Sequence, residues 1–142
     1  MIIMKKIFFY VVIIPALIGM FSCSSSTNVK ALDGKWNIVE VKGTKVTKEK
    51  KPYIEFNMTE NKVHGNGGCN MFNTSLSLND KDASAFTMKP AAATMMACPD
   101  MELEGVIFTS IESVAGVKAG NNANEMVLVD KDGNTLFVLS KN

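Results

Sequence analysis

Two cysteines, Cys69 and Cys98, have the greatest capacity for chemistry in this sequence. Both lie in the stretch from Gly65 to Asp100, which has glycines at one end and methionines at the other. If Cys98 is free and precedes a helix, the helix N-terminus lowers its pKa, which favours a reactive thiol pair. If the two are bonded, the disulfide closes a long loop and stabilises the fold by about 3 kcal/mol. We predict the structural disulfide, because the chain carries an export signal, described below, and disulfides persist outside the cytoplasm.

Methionines around Cys98 offer soft sulfur ligands, which suit Cu(I). The chain has one histidine, His64, that could join them. Their spacing matches no compact metal-binding loop, however, and methionine is a common filler of irregular core space. We therefore predict a packing role and no metal site for Met71, Met88, Met95, Met96 and Met101.

The remaining polar candidates form no catalytic set. Asp100, Glu102 and Glu104 resemble paired acids, but they stand at the start of a predicted helix, whose dipole favours negative charge there. No serine or carboxylate is placed beside His64 by the sequence. We therefore predict no catalytic residue, no cofactor and no enzymatic activity.

Composition excludes further classes of function. The net charge of +1 gives no bulk attraction to nucleic acid, so no nucleic-acid partner is expected. All 15 basic residues are lysines, and the chain therefore lacks the planar arginine fork that favours phosphate and carboxylate recognition. No CxxC pair, HExxH motif, P-loop or dinucleotide fingerprint is present.

The N-terminus is typical of a secretory signal. Lys5 and Lys6 precede an uncharged, mostly apolar run over residues 7–21, which is shorter than the ~20 residues of a membrane-spanning helix. Cys23 follows directly, ahead of a serine-rich stretch. This arrangement resembles a bacterial lipoprotein signal, so we expect Cys23 to be lipidated as the first residue of the mature protein. Ordinary cleavage nearby, which would leave Cys23 as a free thiol, is the alternative.

The expected organisation has three parts. Residues 1–22 form the signal peptide, residues 23–31 a lipid-anchored polar tether, and residues 32–142 one folded domain. Each buried methylene of an acyl chain contributes ~0.8 kcal/mol, and several chains make such an anchor durable. The expected location is the bacterial cell envelope, on the outer membrane facing the periplasm.

Short apolar runs separated by turn residues predict a mainly β domain with about eight short strands. One helix is predicted from about Asp100 to about Ser113, with Pro99 where a helix can start. Apolar residues recur there at spacings of three and four. They are Leu103, Val106, Ile107, Ile111 and Val114. Because sheet edges must be closed or covered, we predict a small antiparallel β-barrel-like sheet capped by this single amphipathic helix.

Two separated motifs carry a family resemblance. A GCN run in a glycine-rich turn is followed by T-x-M-A-C-P, an acidic amphipathic helix and two terminal strands around D-x-D-G-N. The motif residues are Gly68, Cys69, Asn70, Thr94, Met96, Cys98 and Pro99. The chain resembles the META domain family, which includes the HslJ-like heat-shock lipoproteins of bacterial envelopes. It departs from the family at Met95, where arginine is frequent.

The resemblance implies a small β-rich envelope domain, often lipid-anchored and linked to stress tolerance or secretion, with no catalytic residues to carry over. We expect a non-enzymatic, lipid-anchored envelope protein that binds a protein partner or supports envelope integrity under stress. The alternative is a periplasmic protein that binds a small apolar ligand or Cu(I). A roomy pocket would favour the alternative, and a filled barrel with an exposed apolar patch would favour the first.

Overall fold

The structure, a computed structural model, describes residues 27–47 and 49–141. The predicted signal peptide and Cys23 lie outside the described residues. Within the described part of the chain, no helix is long and apolar enough to cross a membrane.

Strands dominate the domain. A turn of 3-10 helix, Val29–Leu32, precedes the first strand. The strands are β1 (Gly34–Val41), β2 (Thr44–Lys45), β3 (Tyr53–Asn57), β4 (Lys62–Asn66), β5 (Met71–Leu78), β6 (Phe86–Met88), β7 (Ala92–Ala93), β8 (Gly116–Ala119), β9 (Glu125–Val129) and β10 (Thr135–Ser140). One α-helix, α1 (Glu102–Ile111), lies between β7 and β8 in the described chain.

The strands form an antiparallel sheet that nearly closes on itself. Its order is β6-β5-β4-β3-β1-β10-β9-β8, and the short strands β2 and β7 pair with β1 and β5. A bridge between Ala85 and Gly116 joins the two edges. The Val117 amide donates to the Ser84 carbonyl across the same seam, at 2.9 Å. The predicted barrel-like sheet of about eight strands, capped by a single helix, is therefore confirmed.

Alternating side chains fill the inside of the barrel. In β1, Trp36 and Ile38 point inward, and a β-bulge after Ile38 shifts the register so that Val41 also turns inward. Phe56 and Phe86 meet edge to face from opposite walls, with ring centroids 6.4 Å apart. The largest fully buried side chains are Trp36, Phe56, Phe72, Phe86, Phe137, Leu32, Ile54, Ile107, Ile111, Leu128, Leu139 and Val41.

Helix α1 buries one face against the barrel through Ile107 and Ile111. It begins at Glu102, later than the predicted start near Pro99 and Asp100. The reason is local, because Asp100 has a left-handed backbone (φ +55°) that an α-helix cannot contain. Pro99 therefore lies in the loop before α1 rather than in its first turn.

The two ends of the domain meet beside Trp36. Val29, which the sequence analysis placed in the tether, is 4% exposed and donates its amide to the Ala83 carbonyl at 2.8 Å. The Trp36 indole N–H donates to the Leu32 carbonyl at 2.7 Å. From the other end of the chain, the Lys141 ammonium lies 4.7 Å from the Trp36 ring centroid. Packing thus extends to Val29, inside the stretch predicted as tether.

Candidate functional site

The glycine-rich turn between β4 and β5 sits directly on α1. The Gly67 amide donates to the Asn70 carbonyl at 3.0 Å, and Gly68 adopts a φ of +117° that L side chains rarely accept. A Cβ atom on Gly67 would lie 2.8 Å from Cγ of Glu104. Glycine at these two positions therefore lets the turn close and lets the helix approach it.

Asn70 joins this turn to the chain that leads into α1. It is 2% exposed, and its Oδ1 accepts from the Met96 amide at 2.7 Å and from the Thr94 hydroxyl at 2.8 Å. Its Nδ2 donates to the Met96 carbonyl at 3.1 Å and to Glu104 Oε1 at 2.6 Å. Every polar atom of this side chain is therefore used inside the fold.

Glu104 is the acid that receives these contacts. It is 4% exposed, and its Oε2 accepts from the Asn70 amide at 2.6 Å and from the Cys69 amide at 2.9 Å. Burial alone would raise the pKa of its carboxyl, but the hydrogen bonds from Asn70 and Cys69, with the charge of Lys50, outweigh burial and hold the pKa below its ordinary value. Glu104 is therefore a buried carboxylate anion.

The sequence analysis assigned Glu104 to the helix dipole and missed this role. The helical spacing of the apolar residues in the sequence could have revealed this role of Glu104. Glu104 precedes the buried Ile107 and Ile111 by three and seven residues, so it lies on the apolar face of α1. A carboxylate on that face requires a buried hydrogen-bonding partner.

Cys69 and Cys98 form a disulfide, with Cα atoms 6.2 Å apart. It ties the glycine-rich turn to the loop before α1. Beside it, Lys50 pairs with Asp100 at 2.6 Å and also donates to the Asp100 carbonyl at 2.7 Å. The predicted structural disulfide is present, and with both sulfurs bonded neither can act as a thiolate nucleophile or as a Cu(I) ligand.

The other motif residues also serve the fold. The Thr94 amide donates to the Met71 carbonyl, and its hydroxyl oxygen accepts from the Met71 amide at 3.1 Å. Met96 contributes backbone atoms to Asn70 while its side chain is 55% exposed. Pro99 is exposed next to the disulfide. The motif therefore encodes a structural junction, and its polar groups are not aimed at a ligand.

An apolar groove of about 410 Å³ opens beside this junction. We call it the methionine groove. Its lining residues are Asn70, Ala93, Thr94, Met95, Met96, Ala97, Met101, Glu104, Gly105 and Phe108. Met95 is 94% exposed, and most of the large apolar side chains that the described chain exposes are methionines here or next to the groove, at Met71.

This arrangement corrects the predicted packing role of the methionines. Only Met88, which is buried in the core, packs as predicted. Met71 is exposed because it points outward at the start of β5. Met95, Met96 and Met101 are exposed because the loop before α1 passes over the surface rather than into the barrel. His64 lies away from the groove, where its Nε2 contacts the Glu55 carboxylate at 3.2 Å. Among the described residues, no cluster of three or more His, Cys, Asp or Glu side chains could hold a metal ion.

Taken together, these features define a class of small β domain. It is a nearly closed antiparallel barrel, and a disulfide and a buried Asn70–Glu104 pair lock its helix to a glycine-rich turn.

The META domain family model matches residues 28–142, and the chain belongs to the META domain family. Among curated proteins, none is significantly similar to it. The fold resembles an NMR structure of a protein from Burkholderia xenovorans (TM-score 0.59, 19% identity, 80% of this chain and 85% of that chain). It also resembles a crystal structure of a DUF4847 family protein from Bacteroides vulgatus (TM-score 0.55, 12% identity, 79% of this chain and 94% of that chain). At these identities the likeness concerns the fold alone.

Proposed function

We propose that this META domain is a non-enzymatic, lipid-anchored protein of the bacterial cell envelope that works by binding a partner protein. The observation that carries the proposal is the methionine groove. Exposed apolar patches on small soluble domains mark interaction sites. Methionine suits such a surface because its flexible thioether adapts to different partners.

The junction next to the groove supports a binding role over catalysis. A catalytic acid or base needs a polar atom within hydrogen-bonding reach of a substrate. Here the Asn70 amide and the Glu104 carboxylate point into the fold and bond to each other, to Met96 and to Cys69. The same bonds hold the groove walls rigid, which lowers the entropy lost when a partner binds.

The position of the groove, at the end of the barrel opposite the point where the chain enters the fold, also supports the proposal. The chain enters the fold at Val29, which bonds to Ala83 near the C-terminal end of β5. The groove lies near Met71, at the opposite end of this eight-residue strand. That separation is about 25 Å at ~3.3 Å per residue. With a lipid on Cys23, the groove would face away from the membrane and towards soluble or membrane-attached proteins of the periplasm.

Photo-crosslinking in living cells tests this function. A photoreactive amino acid replaces Met95 at the groove or Lys81 near the other end of the barrel, and both proteins keep the native signal. We expect one discrete adduct with an envelope protein from position 95 and none from position 81. Absence of an adduct from position 95 in cells that contain the mature protein, or the same adducts from both positions, would contradict partner binding at the groove.

Copper binding remains a second candidate, favoured by the thioethers of Met95, Met96 and Met101 around one groove. The disulfide removes Cys98, the best ligand in that proposal. Titration of the oxidised protein with Cu(I), kept reduced by ascorbate, decides between the two. A stoichiometric adduct that disappears when the three methionines are replaced by leucine would favour copper. We expect no such adduct.

A further inference from the structure

Two methionines in the loop before α1 are open to oxidants from solvent. Met95 is 94% exposed and Met96 is 55% exposed. The two cysteines of the described chain, Cys69 and Cys98, are already joined as a disulfide, so neither offers a thiol to an oxidant. Methionine thioethers, which are oxidised reversibly to sulfoxides, are therefore the groups on which an oxidant can act here.

The sulfur atoms of the four exposed methionines differ in their surroundings. Amide groups donate hydrogen bonds to Met71 Sδ at 3.3 Å and to Met101 Sδ at 3.5 Å. Such a donor engages a sulfur lone pair, and these two side chains are 39% and 37% exposed. Within the described chain, no donor bonds to the sulfur of Met95 or Met96. The lone pairs of Met95 and Met96 are therefore the most available of the four for attack on an oxidant.

The fold uses the backbone of this loop and not the side chains of Met95 and Met96. Met96 bonds to Asn70 through its amide at 2.7 Å and its carbonyl at 3.1 Å. The disulfide at Cys98 fixes the loop two residues further on. An oxygen added to the sulfur of Met95 or Met96 therefore meets solvent. At Met88, which is 5% exposed in the core, the same oxygen would disrupt packing.

Oxidation would change the chemistry of the methionine groove, because Met95 and Met96 both line it. A sulfoxide replaces a flexible apolar thioether with a polar S–O group, which disrupts methionine-rich interfaces. An apolar partner surface would bury that oxygen without a hydrogen-bonding partner, and such burial costs free energy. The oxidised groove is thus a poorer site for the same partner.

We infer that Met95 and Met96 form an oxidation site, at which two-electron oxidants switch the methionine groove from apolar to polar without unfolding the domain. The resulting loss of partner binding rests on the function proposed above. With hypochlorous acid, each thioether sulfur loses two electrons and gains the oxygen, the O–Cl bond breaks, and chloride and a proton are released. A dithiol reductase reverses the step, because its two thiols become a disulfide while the sulfoxide oxygen leaves as water.

Peptide mapping by mass spectrometry tests the modification itself. The mature protein, purified from cells that express the full chain, receives increasing amounts of hypochlorous acid with its disulfide intact. We expect Met95 and Met96 to be oxidised about tenfold or more faster than the buried Met88. The midpoint of thermal unfolding should stay unchanged while only Met95 and Met96 carry sulfoxide. Equal rates at Met95 and Met88, or unfolding caused by sulfoxide at Met95 and Met96 alone, overturns the inference.

Photo-crosslinking in cells tests the effect on partner binding. A photoreactive amino acid in place of Ala97, an exposed residue of the groove, leaves both methionines intact. We expect its adduct with an envelope protein to be lost after a pulse of hypochlorous acid. Met95→Leu with Met96→Leu keeps the groove apolar but cannot form sulfoxides, so its adduct should persist. Met58→Leu with Met71→Leu, two positions outside the groove lining, is the matched control and should lose the adduct as the wild type does.

The outcomes separate this inference from the function on which it rests. If the adduct from position 97 persists once Met95 and Met96 carry sulfoxide, partner binding stands and the switch is wrong. If the adduct is lost equally in the double leucine variant at these positions, the oxidant acts elsewhere and the switch is again wrong. If no adduct forms from position 95 or 97 before oxidation, the proposed function fails and the switch fails with it, and peptide mapping alone decides whether the oxidation site stands.

Discussion

A single asparagine connects three separate parts of this chain. Asn70 bonds to Glu104 on α1 and to Thr94 and Met96 in the loop before α1. Each of these hydrogen bonds is buried or partly buried. Water therefore has limited access to a polar group that loses its partner there. A buried polar group left without a partner costs far more than the net gain of the bond. The residues of the family motif around Asn70 are thus explained by the contribution of these hydrogen bonds to the stability of the fold.

Replacing Asn70 with alanine should therefore destabilise the domain strongly. Asn70→Ala removes the partners of Met96 and leaves the Glu104 anion buried with fewer donors, so we expect a loss of about 3 kcal/mol in the free energy of unfolding. Urea denaturation measures the loss. Asn73→Ala, at an exposed asparagine on the adjoining strand β5, is the control and should change stability by less than about 0.5 kcal/mol. Equal effects of the two changes would contradict the role assigned to Asn70.

The ionised state of Glu104 predicts a pH dependence of stability. Its pKa in the folded protein is lowered, so its contribution is complete above the unfolded value of about 4.3 and is lost as the pH falls through the folded pKa. Glu104→Gln should be less stable than the wild type at pH 7 by about 2 kcal/mol, because an amide offers one acceptor to a site built for two. Below about pH 4 the difference should shrink. A constant difference from pH 7 to pH 3, measured by urea denaturation, would show that the charge is unimportant.

At the scale of elements, the disulfide joins the β4–β5 turn to the start of α1 across 29 residues. Replacing both Cys69 and Cys98 with alanine should lower the free energy of unfolding by about 3 kcal/mol, since the unfolded chain regains the entropy of the open loop. Urea denaturation with and without reductant measures this. Reductant should lower the stability of the wild type to that of the double variant and leave the variant unchanged. A wild type that is insensitive to full reduction would show that the two elements hold together without the bond.

Helix α1 should gain stability when Gly105 is replaced by alanine. The added Cβ meets no atom within 4 Å, and alanine has a helix propensity about 1 kcal/mol better than glycine. We therefore expect Gly105→Ala to raise the free energy of unfolding by about 0.5–1 kcal/mol in urea. Gly67→Ala, where the Cβ would clash with Glu104, is the opposite control and should be destabilising. A loss of stability in Gly105→Ala would mean that the helix needs glycine for a reason of folding.

The sequence predicted the elements that depend on local pattern. The helix was predicted from its apolar spacing, and the order of strands and turns led to a nearly closed barrel. Contacts between distant residues were not predictable in this way. The left-handed Asp100 is held by Lys50, fifty positions away, and Glu104 depends on Asn70, thirty-four positions away. The exposure of Met95, Met96 and Met101 was not predicted either, because methionine occurs both in protein cores and on binding surfaces.

At the scale of the whole molecule, the barrel has two unlike ends. One end receives the chain at Val29, and the other carries the disulfide, the start of α1 and the methionine groove. A lipid on Cys23 would therefore tether the domain at the end opposite the groove. Because the point of chain entry and the groove lie apart, each can be changed without disturbing the other.

Membrane attachment should depend on Cys23 alone. We expect the native mature protein to sediment with membranes and to carry the mass of a lipidated cysteine. Cys23→Ala should lack the lipid and lose the membrane affinity that the acyl chains supply. Cell fractionation and intact mass spectrometry measure both. Membrane retention of Cys23→Ala at high salt would point to attachment through another part of the protein.

The meeting of the domain's two ends beside Trp36 has a consequence for engineering. Lys141 lies over the Trp36 ring and contacts the Asp33 carbonyl at 3.4 Å, so the chain enters and leaves the fold at nearly the same place. A domain of this kind can be spliced into a surface loop of an unrelated host protein without stretching the host. The groove would then be displayed at the outer tip of the insert, with its disulfide and its buried network moving as one piece.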